Sequence, residues 1–159
     1  MSAPLVFMWA FALGCINGLR SFSGVSTLSL GARLGWAHFG ATAFAFLGAA
    51  WAAPVFCVLA ALELYGDKQS WIPSRKSPGA LATRLILGGT CAAALASSAG
   101  QEAYFGFLAG AAGALCGTFG GYEVRVGLVR ALKIPDLPVA LLEDLIAIGG
   151  GLFVVSRFQ

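Results

Sequence analysis

Residues 103–122 read AYFGFLAGAAGALCGTFGGY, a stretch with no acidic or basic side chain. At 1.5 Å per helical residue, about 20 apolar residues match the roughly 30 Å hydrocarbon core of a bilayer. Ala109, Gly113, Gly117 and Gly121 recur every four residues within it, and Gly106 and Gly110 form a neighbouring strip. Small residues at this spacing let two helix backbones approach closely, so the stretch predicts a membrane helix with a packing face. Gly14 and Gly18 repeat the spacing near the start of the chain.

Four further runs with few charges flank this one. Residues 1–19 form the first and residues 34–62 the second, with Pro54 inside it. Proline kinks a membrane helix without forbidding it. Residues 85–101 give a short, Ala-rich third run, and the last extends from Val139 to Ser156, interrupted near its start by Glu143 and Asp144. The predicted fold is therefore all-α, an integral membrane bundle of about five helices in one domain spanning 1–159. Composition agrees: hydrophobic residues make up 58% and charged residues 11%, where soluble domains carry about 25% charged. Mean hydropathy is +0.84. Ten basic and seven acidic side chains cannot cover so much apolar surface in water, and lipid is the solvent that suits it.

The connectors set the orientation. Residues 20–38 mix Leu28, Leu30, Leu34 and Trp36 with Ser, Thr and Gly, as either an interfacial helix or a re-entrant turn would. Residues 66–79 form a polar loop, and 121–138 an Arg-containing amphipathic segment closed by Pro135-Asp136-Leu137-Pro138. Five spans place Lys68, Arg75, Lys76, Arg84, Arg125, Arg130 and Lys133 on one side and Arg20, Arg33 and Arg157 on the other. The bias predicts a cytoplasmic N-terminus and an outer C-terminus, in the cell inner membrane. The glycine-spaced spans, each followed by an Arg-containing connector and an acid-bearing span, suggest halves 5–65 and 104–157 in opposite orientations, an inverted repeat. Chance spacing in a Gly-rich chain explains the pattern equally well.

The charged residues define the candidate site. On the five-span reading Glu63, Asp67, Arg75, Arg84, Arg125, Glu143 and Asp144 share the cytoplasmic side. Glu63 and Asp67, four apart, share a helix face if the helix continues that far. Arg84 stands one turn into an apolar helix, where an unpaired charge is costly. The functional reading is a substrate, ion or proton site, and the architectural reading is a set of salt bridges at helix ends. Arg20 closes the first span on the opposite side, beside Asn17, Ser21, Ser23, Ser26 and Thr27. There it either lines an anion- or headgroup-facing pocket or snorkels to the interface.

Other chemistry is not signalled. The single His38 supplies no catalytic set, and no nucleophile elbow or phosphate loop occurs. Gly149-Gly150-Gly151 lies within a span, where helix packing explains it best. Cys15, Cys57, Cys91 and Cys116 are isolated in apolar runs without metal or redox spacing, which predicts buried packing. A net charge of +3 without basic patches argues against nucleic acid. No Lys or Arg precedes the first apolar run, so it reads as a retained span and not a signal sequence. The expectation is a non-enzyme with no metal or cofactor, its partners being the lipid bilayer and a homodimer or membrane complex.

The chain resembles the domain of unknown function 4126 family of small multi-pass bacterial membrane proteins over almost its whole length. The likeness rests on Gly18-Leu19-Arg20-Ser21, Ala32-Arg33-Leu34-Gly35-Trp36, Glu63-Leu64 with Asp67-Lys68, and Pro73-Ser74-Arg75. It continues with Arg84 and Gly88, Gly117-Thr118 with Gly120-Gly121, Arg125, and Glu143-Asp144 with Ala147-Ile148-Gly149-Gly150. The resemblance implies a fold and a membrane address, and no agreed activity. Two functions suit the sequence. One is a transporter or channel-like protein using the charged cluster. The other is a structural or assembly subunit packing through Gly113, Gly117 and Gly121. A lipid-handling role, motivated by Arg20 and the connectors, is a third.

Overall fold

The computed structural model describes residues 1–40, 42–66 and 77–159. Among them the chain is all helical, with α1 at Ala3–Leu19, α2 at Ser23–Arg33, α3 at Ala52–Gly66, α4 at Pro78–Ser98, α5 at Ala103–Leu132 and α6 at Asp136–Ser156. A short 3₁₀ turn, Ala45–Gly48, precedes α3. Helices α4, α5 and α6 are long and apolar enough to cross a membrane, whereas α1 and α3 are apolar but shorter.

Local chemistry sets the helix ends. Pro78 opens α4 after the extended Ser77, at a position where a missing N–H costs nothing. α2 and α4 each end on a left-handed glycine, Gly35 (φ 77°) and Gly100 (φ 70°). Beyond them Trp36 N–H donates to Gly31 C=O at 2.9 Å and Gln101 N–H to Ala96 C=O at 2.9 Å, closing both last turns. α5 stops at Lys133 (φ 52°), and Asp136 then begins α6, where a carboxylate favours the helix N-terminus.

Glycines bring the central helices into backbone contact. A Cβ on Gly113 would sit 2.1 Å from the Phe11 carbonyl oxygen, and one on Gly117 2.2 Å from that of Cys15. From the other side, a Cβ on Gly14 would sit 2.1 Å from the Gly110 oxygen. The neighbouring strip serves α4: a Cβ on Gly110 would lie 2.4 Å from the Gly88 oxygen, and one on Gly106 2.8 Å from that of Ala92. The predicted packing face is thus real but internal, because α1 and α4 already occupy it. Gly121 differs, since a Cβ there would meet only the Leu19 side chain, at 2.3 Å, with Glu143 Oε1 at 3.6 Å.

These contacts fix the helix directions. Gly14 meets Gly110 and Gly18 meets Gly117, so α1 and α5 run parallel, not opposed as an inverted repeat of 5–65 and 104–157 requires. α6 runs against α1, because Ile16 faces Gly150 and Trp9 stacks edge-on against Phe153 at 5.9 Å. α2 runs with α6, Thr27 lying against Gly151 and Gly31 against Val155. α3 returns antiparallel to α2, Arg33 near its start and Ser21 near its end.

The expected second span, 34–62, is therefore corrected. Its first part is a bend with the 3₁₀ turn, and only α3 is a long helix. Residues 20–38, expected as an interfacial helix or a re-entrant turn, hold α2, a helix with most of its residues buried. Alternating directions bring the start of α1 and the end of α6 to one end of the bundle, which corrects the five-span arrangement with opposed termini. At that end Leu13, Leu28, Leu47, Leu95 and Val155 form the fully buried apolar core. Large apolar side chains such as Phe105, Leu108, Phe119, Leu145 and Phe153 face outward. Cys91 is buried as expected, but Cys57 and Cys116 are exposed, because they lie on the outward faces of α3 and α5.

Candidate functional site

The charged residues converge at the opposite end, where α1 ends, α2 begins, α3 ends, and α4 and α6 each have run about two turns. Arg20 is the central surprise. Its side chain is fully buried, with Nη2 2.6 Å from Asp144 Oδ1 and 3.9 Å from Glu143 Oε2. Two α1 features place it there: the helix stops at Leu19, and Arg20 turns to extended backbone facing α6. Arg20 thus joins the acids across the bundle. It neither sits on the opposite side nor snorkels, because the reversal at residues 20–22 keeps α2 and α3 from carrying the acids away.

Glu143 links this pair to α5. Arg125 Nη1 donates to Glu143 Oε2 at 3.2 Å, while Nε donates to Asp136 Oδ1 at 2.8 Å and Nη2 to Asp136 Oδ2. The fork to Asp136 uses two parallel hydrogen bonds, the strongest geometry open to an Arg–carboxylate pair. It also clamps α5 to the first turn of α6.

Glu63 does something the sequence reading did not foresee. Its Oε1 accepts the Ser21 N–H at 2.7 Å and Oε2 accepts the Phe22 N–H at 2.9 Å. Both donors stand at the start of α2, where helical N–H groups lack backbone partners and the helix dipole favours an anion. Arg84 Nη2 stands 3.9 Å from Glu63 Oε1, and Arg84 Nη1 donates to the Gly18 carbonyl at 2.8 Å. Thr118 donates to the same carbonyl at 3.1 Å and to Ala114 C=O at 2.8 Å. Gly18 lies in the last turn of α1, whose carbonyls have no helical partner, so Arg84 and Thr118 cap that helix.

The structure therefore brings together Arg20, Glu63, Arg84, Arg125, Glu143 and Asp144. Asp67 and Arg75 lie outside the described residues. Asp136, Thr118 and the Ser21 and Phe22 N–H groups belong to the cluster and were missed. Asp136 was read as part of a turn, although an acid just after Pro135 is itself a helix-start signal. Thr118 was visible as the polar residue inside the apolar stretch. Of the proposed packing residues, Gly113 and Gly117 lie on the inner seam of α5, Ala109 is half-buried, and Gly121 opens onto a groove. His38 is exposed at the bend after α2. Among the described residues no group of three His, Cys, Asp or Glu side chains converges as a metal site would need.

A cavity of about 280 Å³ lies between α5 and α6 beside this cluster, with Arg125 and Glu143 in its wall. Gly121, Val124 and Leu128 form one side, Leu142 and Ile146 the other, and Leu19 the back.

The fold and its buried ionic cluster define a class: an all-α bundle with helices long and apolar enough for a membrane. The chain belongs to the family described as "Domain of unknown function (DUF4126)", whose model matches residues 7–156. No curated protein and no solved structure matches it.

Proposed function

We propose that the chain is a non-enzymatic integral membrane protein with a structural or assembly role, its charged cluster acting as a fixed internal clamp. The observation that carries this reading is the direct contact between Arg20 and Asp144, 2.6 Å apart with both side chains buried. Their neighbours Glu143, Arg125 and Asp136 extend the pairing from α1 through α6 to α5. Charges in direct contact are held in place, whereas an ion path needs groups that face water. The packing glycines are used within the chain, so assembly with a larger complex or a second copy would use its outer faces.

The same reading sets an orientation. Arg20, Arg84, Arg125, Arg130 and Lys133 belong to the charged end. Arg33 and Arg157 belong to the other. The positive-inside rule then makes the charged end cytoplasmic and sets both termini outside the inner membrane, reversing the N-terminal side expected from five spans.

Transport is the second reading, favoured by depth. Asp144 lies about 12 Å from the start of α6 and about 18 Å from its end at 1.5 Å per residue, and ionisable groups so placed often serve ion or proton movement. Reconstitution into liposomes with an internal pH-sensitive dye tests the choice. The structural reading expects proton and cation flux equal to that of empty liposomes. Flux lost on replacing the pair together, Arg20→Met with Asp144→Leu, would overturn it.

A further inference from the structure

We propose that the first turn of α2 is a binding site for the carboxylate group of a small anion, with the Glu63 side chain as its tethered stand-in. The inference goes beyond the clamp, which uses neither Glu63 nor α3. Three observations carry it. First, a carboxylate is already seated there. Each Glu63 oxygen takes one backbone N–H, from Ser21 at 2.7 Å and from Phe22 at 2.9 Å, and Arg84 Nη2 stands 3.9 Å from Oε1. Arg84 is 3% exposed, so its charge acts on the site with little screening by water.

Second, Glu63 leaves much of the turn unused. Among the described residues, the N–H groups of Ser23, Gly24 and Val25 make no hydrogen bond, and neither does the Ser23 hydroxyl. Ser23 is 1% exposed and Val25 4%. Buried backbone donors are almost always paired, and in the first turn of a helix they favour an anion. Asn17 lies against Gly24, where a Cβ would fall 2.0 Å from Nδ2, but that nitrogen already donates to the Leu13 carbonyl at 3.0 Å. Asn17 therefore walls the site without binding the anion.

Third, Glu63 stands on a helix that can give way. α3 fully buries only Ala52, Ala53 and Ala60, and it packs mainly on α2 and the 3₁₀ turn, outside the α1–α4–α5 seam. Leu62 and Tyr65, in the same last turn as Glu63, are 60% and 69% exposed, so withdrawing that turn gives up little apolar contact. A free carboxylate that replaces Glu63 leaves the charge of the buried cluster unchanged. Adding an anion beside Glu63 would instead bury an uncompensated charge.

Melting of the detergent-purified protein in sodium formate, acetate, gluconate or chloride at one ionic strength tests the site. Formate and acetate should raise the melting temperature saturably, whereas chloride and the bulky gluconate should not. Glu63→Ala removes the stand-in, so the formate concentration giving half the shift should fall about tenfold or more, the displacement step being gone. Ser23→Ala in the otherwise unchanged chain should raise that concentration by about two- to tenfold, as loss of one hydrogen bond predicts. Should Glu63→Ala fail to fold, the unsubstituted chain and Ser23→Ala decide the matter. No formate shift in the unsubstituted chain would make Glu63 a permanent cap and overturn the proposal. Equal shifts in formate and chloride also overturn it, and so does a half-saturation unchanged by either variant, which places formate elsewhere on the molecule. None of these arms reads flux, which judges the Arg20–Asp144 clamp.

Discussion

Arg20 at the end of α1 and Asp144 in the third turn of α6 form a buried contact of 2.6 Å between opposite ends of the sequence. Breaking one partner of a buried pair leaves the other charge unpaired in a low-dielectric site, which costs about 3–5 kcal/mol, whereas replacing both with apolar groups is near neutral. Arg20→Met alone should therefore lower stability in detergent by about 3–5 kcal/mol, and Asp144→Leu alone by a similar amount. The double variant should recover most of the loss. Denaturant titration of the four proteins checks this, and additive losses would contradict the clamp.

Glu63 should govern the start of α2. Glu63→Gln keeps the shape but weakens two charge-assisted bonds to the Ser21 and Phe22 N–H groups. A cost of about 1–3 kcal/mol is expected for hydrogen bonds to a charged group. Amide exchange at residues 21–22 should rise well before exchange in α5 changes. Uniform acceleration across the bundle would mean that Glu63 acts only through global stability.

The α1–α5 seam should tolerate no added methyl group. Gly113→Ala and Gly117→Ala each place a Cβ against a backbone carbonyl that cannot rotate away, at 2.1 and 2.2 Å. Each should destabilise by about 1–3 kcal/mol or more, the range for overpacking. Gly120→Ala, with open space around its Cβ, should be nearly neutral. Melting temperatures of the three variants give the comparison, and equal shifts would refute the parallel seam.

Both termini should report from the same side. In a background with the four cysteines replaced, Ser2→Cys and Gln159→Cys should react with a membrane-impermeant thiol reagent in intact spheroplasts. Lys133→Cys should react only after permeabilisation. Labelling of Ser2→Cys and Gln159→Cys from opposite sides would restore an odd number of crossings.

Much of this architecture was legible in the sequence. The α5 stretch declared itself by its missing charges and its glycine row, and most residues of the ionic cluster stood out as charges at the edges of apolar runs. The reversal at residues 20–22 did not. α2 is only 11 residues long and carries Ser23, Ser26, Thr27 and Ser29, so its hydropathy reads as a connector. Its polar groups are satisfied partly by its own backbone: Ser26 donates to the Ser23 carbonyl at 2.9 Å and Thr27 to the same carbonyl at 3.0 Å. Missing that one helix inverted the direction of α1 alone, because α3 still ends at the charged end, and it placed Arg20 on the wrong side. Partner choice along a glycine row was equally hidden, because spacing identifies a seam without saying whether the second backbone comes from the same chain.

The backbone-to-backbone seam of α1 and α5 also determines how the molecule can deform. Where carbonyl oxygens abut glycine Cα atoms, neither rotation nor sliding is possible without overlap, so α1, α4 and α5 behave as one stiff unit. α6 touches α5 far less and is tied to it mainly by Arg125, Asp136 and the link at Lys133. Any widening of the groove between α5 and α6 must therefore carry α6 away together with the Arg20–Asp144 contact and the α2 packing that hold its other sides.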